Sequence, residues 1–140
     1  MRLLLAAATA LVMVPAAASA TAWYMFFSDA DTSWYIDADG ITRNGEWTRV
    51  TQYARYHVVS PRTGVKSVQA VTEIDCKRRV YRLARFEPFD AAGASMGASD
   101  NPEDGKEHSN VPNSPNEAAM KFVCDNDRAG KQRVADPSKD

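Results

Sequence analysis

The chain has 140 residues, a formal net charge of −1, 44% hydrophobic and 25% charged residues, and only two cysteines. That length gives one domain with one modest core and leaves no room for a second. No nucleic-acid reader motif occurs, so nucleic acid is not an expected partner.

Residues 1–20, MRLLLAAATALVMVPAAASA, combine one arginine, an apolar stretch from Leu3 to Val14, the breaker Pro15 and small residues at Ala18 and Ala20. This is the pattern of a secretory signal peptide, cleaved after Ala20 or Ala22. The apolar stretch falls short of the roughly 20 residues of a membrane span, and no second one follows. No cysteine stands at either junction to carry a lipid. The expected mature protein is exported, periplasmic or extracellular, not lipidated, and without a transmembrane span. Residues 21–125 then form the domain, and the polar stretch 126–140 is expected to be a disordered tail.

After the leader the pattern is period-two. Trp23–Phe27 (WYMFF) and Ser33–Asp37 (SWYID) read as a hairpin about the turn-forming SDADT. Asn44-Gly45 is a type I′ turn signal before the long run EWTRVTQYARYHVVS, and PRTG at 61–64 turns the chain back. In the next run Val68, Ala70, Ile74 and Cys76 share one parity, which points Cys76 inward. RRVYRLARFEPF alternates poorly, which predicts a bulge or a strand covered on both faces. From Asp90 to Asn113 the composition turns to Gly, Ser, Asp, Asn and Pro, the signature of a mobile loop, with AGASMGAS a candidate edge strand.

NSPNEAAMKFVCD supplies helix-start signals: Ser114 as N-cap, Pro115 at the first helical position and Glu117 three after the serine. Met120, Val123 and Cys124 fall on one face, with Lys121 elsewhere. Export and an even cysteine count favour a disulfide, whose only connectivity is Cys76 to Cys124. Closing that loop stabilises by about 4 kcal/mol on the chain-entropy account. Two free buried thiols, or a zinc site with His57 and His108, are the alternatives, though neither has a recognisable ligand spacing.

WYIDADGITRNG, TEIDCKRRVYR and VPNSPNEAAMKFVCD, in this order, resemble the bacterial surface-adhesin protein E family over most of the mature chain. The resemblance implies an α+β fold: a single curved antiparallel β-sheet of about six strands, with a C-terminal helix stapled by the disulfide to its concave face. It also implies a homodimer and binding to host proteins such as vitronectin and laminin. The chain departs from the pattern in lacking a lipidation cysteine and any aromatic residue between Asp90 and Ser109.

Charge is segregated. Residues 43–85 carry ten Lys or Arg against three Asp or Glu, residues 21–42 carry four Asp and no base, and residues 86–140 carry six bases against eleven acids. Arg78, Arg79, Arg82 and Arg85 form a candidate binding patch; the competing account pairs them with acidic loops of the same chain. Alternation splits them into Arg79 with Arg85 and Arg78 with Arg82. The aromatic set Trp23, Tyr24, Phe26, Phe27, Trp34, Tyr35 and Trp47 fits either a binding surface or the core. DADG matches a fragment of a calcium loop without its terminal glutamate and reads as a turn. No catalytic constellation assembles around His57, His108, Ser60, Ser109 or Ser114, so the chain is expected to be no enzyme, with no cofactor and no metal. Two functions remain: an adhesin-like module binding host or envelope proteins, and a soluble periplasmic housekeeping or inhibitory protein.

Overall fold

A computed structural model describes residues 21–140; the expected signal peptide lies outside them. Aromatic and β-branched runs form the longer strands: β1 Trp23–Ser28, β2 Thr32–Asp37, β4 Trp47–Tyr56, β5 Ser67–Asp75 and β6 Val80–Phe89. Short pieces complete the set: β3 Thr42–Asn44, β7 Ser99–Asp100, β8 His108–Ser109 and β9 Gln132–Val134, with one helix, α1 Pro115–Cys124. All pair antiparallel in one open sheet of order β7-β6-β5-β4-β2-β1-β9. β3 follows β2 along the same side of β4, and β8 lies beside β7 on β6.

The sheet therefore has nine strands, not about six. The additions are two- and three-residue segments that carry no readable period. One of them lies in the tail expected to be disordered: Gln132, Arg133 and Val134 pair with Met25, Tyr24 and Trp23. That pairing rests on backbone bonds at a sheet edge, so polar side chains do not prevent it. The tail continues to a buried Pro137 and to Asp140, whose Oδ2 accepts from the Tyr35 hydroxyl at 2.8 Å. The Asp90–Asn113 segment is likewise pinned to β6, through β7, β8 and a Phe89–Ser95 bridge.

Turn chemistry fixes the hairpins. Gly45, at φ 61, is the first of two residues between Asn44 and Trp47, so glycine stands where a type II′ turn requires it, one place on from the expected register. Asp37 Oδ1 accepts from the N–H groups of Asp39 and Gly40, closing DADG as a turn. Two bulges correct the alternation. Phe26 is extra in β1, which puts Phe26 in the core and Phe27 against it. Ala84 is extra in β6, between Leu83 opposite Thr72 and Arg85 opposite Val71.

Helix α1 crosses one end of the sheet. Ser114 caps it, its Oγ accepting from Glu117 N at 3.2 Å, while Glu117 Oε2 reaches Asn113 N at 2.8 Å. Ala119, Met120 and Phe122 are buried and pack with Phe26, Ile36, Val50 and Ile74. Phe122, absent from the expected stripe, is fully buried, with Tyr24 at 5.6 Å on one side and the Arg128 guanidinium 4.9 Å from its ring centre. Met120 takes its expected place; Val123 and Cys124 are only partly buried at the margin.

Candidate binding surface

The register divides the sheet into two faces. On the helix side, Trp34 stands opposite Ala54, Ala54 opposite Val68, Ala70 opposite Phe86 and Thr72 opposite Leu83, in line with Val50 and Ile74 beneath the helix. A helix of ten residues is about 15 Å long and about 10 Å across, whereas strands of ten residues run about 33 Å. The helix consequently covers only the end of this face that holds Ile36, Val50 and Ile74.

Beyond it the face is open. A cavity of about 530 Å³ is walled by Tyr56, Val58, Val65, Val68, Phe86 and Pro88, with Asp31 and His57 at its border. A second, of about 250 Å³, lies towards the helix among Trp34, Gln52, Leu83, Tyr81 and Asn116, bordered by Glu103 and His108. Tyr56, Val68 and Phe86 belong to both, so the two form one groove, with Phe86 36% exposed on its floor. Asn116 Nδ2 donates to Tyr81 Oη at 2.8 Å, and His108 stacks on the Tyr81 ring at 5.2 Å while its Nε2 lies 2.6 Å from Glu103. His57 Nδ1 meets the Ala30 carbonyl at 2.9 Å and its Nε2 meets Ser33 Oγ at 3.0 Å. The two histidines thus sit apart, at opposite ends of the groove.

The four candidate arginines take different places. Arg78 and Arg79 lie in the β5–β6 turn, and the Ala84 bulge brings Arg82 and Arg85 to the same face, the one away from the helix, against the simple alternation. Each guanidinium meets carboxylates of the same chain. Arg78 bonds Asp75 Oδ2 at 2.7 Å and forks onto both oxygens of Glu107 at 2.7 and 3.0 Å. Arg79 forks onto Asp125, Arg82 bonds Glu73 at 2.7 Å and Arg85 bonds Asp100 at 2.7 Å. Arg82 also stacks 4.1 Å from the centre of the Trp47 ring.

Asp75, 2% exposed, organises this turn and hence the cysteine after it. Its Oδ1 accepts from the N–H groups of Lys77 and Arg78, and these bonds, that of the Arg78 N–H foremost, hold its carboxyl below the usual range together with the Arg78 side chain. The Arg78 fork likewise lowers Glu107. Cys76 follows and bonds Cys124 at an S–S distance of 2.03 Å, with 5.5 Å between Cα atoms. The staple thus joins the end of β5 to the last turn of α1.

The surface-adhesin protein E family model matches residues 23–125, which span the sheet from β1 to the end of the helix and include both cysteines. The chain belongs to the surface-adhesin protein E family. Two solved structures of Haemophilus influenzae protein E are similar to it. One shares 19% identity over 66% of this chain and 77% of that chain, with a TM-score of 0.46. The other, a second crystal form, shares 18% identity over 66% and 80%, also at 0.46. No curated protein matches. The family match stops before β9, so the pairing of β9 with β1 and the Tyr35–Asp140 bond lie outside the matched residues.

Sequence reasoning found the staple and the cap but missed the groove. Val68 was legible as an inward residue, whereas Phe86 stood in a strand that alternates poorly; the open face above them follows from the shortness of the helix compared with the strands, a comparison of two lengths that the sequence contains.

Proposed function

We propose that this family member is an exported, non-enzymatic protein-binding module of the bacterial envelope, adhesin-like in action, and that its ligand meets the open half of the helix face. The observation that carries the reading is the groove itself: apolar and aromatic side chains stand on a rigid sheet with no helix above them. An exposed apolar patch of this kind, rimmed by polar groups, is the usual mark of an interaction site. Family membership supports the adhesin class, and the Cys76–Cys124 bond fits an oxidising compartment. The arginine set is assigned a supporting part, fixing the β5–β6 turn and the loop that walls the groove, since each guanidinium already has a carboxylate partner.

The test is binding of the full mature chain to immobilised laminin, vitronectin and envelope extract, beside the Phe86→Ser variant. Retention of the wild type and loss in the variant is expected. Wild-type protein that binds nothing, or a variant that binds as well, defeats the reading. Fractionation of the native host, showing the protein at the surface or in the medium, separates adhesion from a periplasmic housekeeping role.

A further inference from the structure

We infer that the groove takes an extended peptide segment of the partner, with neighbouring apolar side chains lying over Phe86 and a Lys or Arg beside Asp31. This deepens the protein-binding reading above and rests on it. The floor strands β4, β5 and β6 already have neighbours on both sides, so an occupant cannot add itself as a further strand above them and must be held through side chains. The larger cavity, at about 530 Å³, lies within the roughly 300–1,000 Å³ of sites that enclose a whole small ligand, so it admits more than one apolar side chain.

Charge selects among apolar occupants. Neither cavity is lined by any lysine or arginine, although two of the strands beneath carry Arg49, Arg55, Arg82 and Arg85. The lining carboxylates are Asp31, at the larger cavity, and Glu103, at the smaller. Glu103 is taken by His108, whereas the Asp31 carboxylate enters no ion pair among the described residues. Lys66, next to the lining Val65, is turned onto the His57 carbonyl at 2.9 Å. A fatty acid or another anionic amphiphile would meet Asp31 and no lining cation; a basic residue beside an apolar pair meets a free carboxylate. Such charge matching governs which partner is accepted more than how tightly it is held.

The experiment pans a random peptide library against the full mature protein and measures the selected peptides by fluorescence anisotropy, with a fluorescent fatty acid as the competing probe. Enrichment of an apolar pair next to Lys or Arg is expected. Phe86→Ser should weaken the selected peptide at least tenfold, and Asp31→Asn about threefold to fivefold, an effect that fades with added salt. Both side chains are exposed, so unchanged far-UV dichroism and Tm should accompany the loss. Selection of acidic or uncharged peptides, an affinity indifferent to Asp31→Asn, or displacement of the peptide by the fatty acid at lower concentration overturns the inference. Loss of all binding to whole proteins in the earlier test, with peptide selection intact, would instead defeat the adhesin reading alone.

Discussion

Tyr35 on β2 donates its hydroxyl to Asp140 Oδ2 at 2.8 Å, so a strand in the middle of the sheet holds the last residue of the chain. Burial first, and the Asp140 carboxylate second, push the Tyr35 phenol up to about 12. Below the usual phenol value of about 10, folded and unfolded states both hold the proton and no pH dependence arises. Between about 10 and 12 the folded state keeps a proton the unfolded state has lost, so stability falls as pH rises through that window. Phenolate absorbance during alkaline titration should show a late component that Tyr35→Phe removes and Asp140→Asn shifts downward. A titration in which Tyr35→Phe leaves the high-pH component intact would contradict the contact.

On the acid side the sign reverses. Asp75, Glu107 and Glu117 all have depressed carboxyls, held down by the Arg78 N–H, the Arg78 side chain and the Asn113 N–H respectively. Their stabilisation is complete above the usual carboxylate range of about 4 and is lost as pH falls through the depressed values. Urea midpoints measured from pH 7 to pH 2 should therefore decline in acid. Asp75→Asn should lower the midpoint at pH 7 and flatten that decline. Glu107→Gln should do less, because its side chain is 42% exposed.

The helix supplies a ranking. Ser114→Ala removes the N-cap acceptor and should cost about 1 kcal/mol, whereas Cys124→Ser removes the cross-link and should cost about 2–5 kcal/mol. Limited proteolysis of Cys124→Ser should give early cuts near Lys121 while the sheet endures. Equal cutting of the wild type would mean that the helix does not dock.

Phe122→Ala should be the most damaging helix substitution that leaves the disulfide in place, at about 3–5 kcal/mol. It empties the space between Tyr24 and Arg128, groups from β1 and from the tail, so neither can close the gap by a rotamer change alone. Thermal unfolding of Phe122→Ala beside Val123→Ala measures it: Val123 is only partly buried and should cost less.

Legibility tracked the length of the element. β4, β5 and α1 were readable because ten or so residues carry a period, a cap or a turn signal, and the inward parity of Cys76 foretold its bond. β9 has three residues, two of them polar, and its only reason to exist is the unpaired edge of β1, which lies over a hundred residues earlier in the chain. Phe122 was passed over because a single stripe of i, i+3 and i+4 positions assumes a helix lying flat. This one also leans against Tyr24, and the tail returns over its flank. The parity of Arg82 and Arg85 failed at one residue, Ala84, whose bulge shifts everything after it by one place.

That same bulge has a consequence for how the protein can change over generations. With Ala84 removed, the inner run YRLRFEP would alternate without a fault, so the strand itself gains nothing from the extra residue. What gains is the long excursion after β6: the Ala84 carbonyl, freed from the ladder, accepts the N–H of Asn101 at 2.8 Å, where the backbone turns through φ 48. Insertion and excursion are therefore coupled. Deleting Ala84 would remove one peg of this wall and leave it to its other fastenings, β7, β8 and the Phe89–Ser95 bridge.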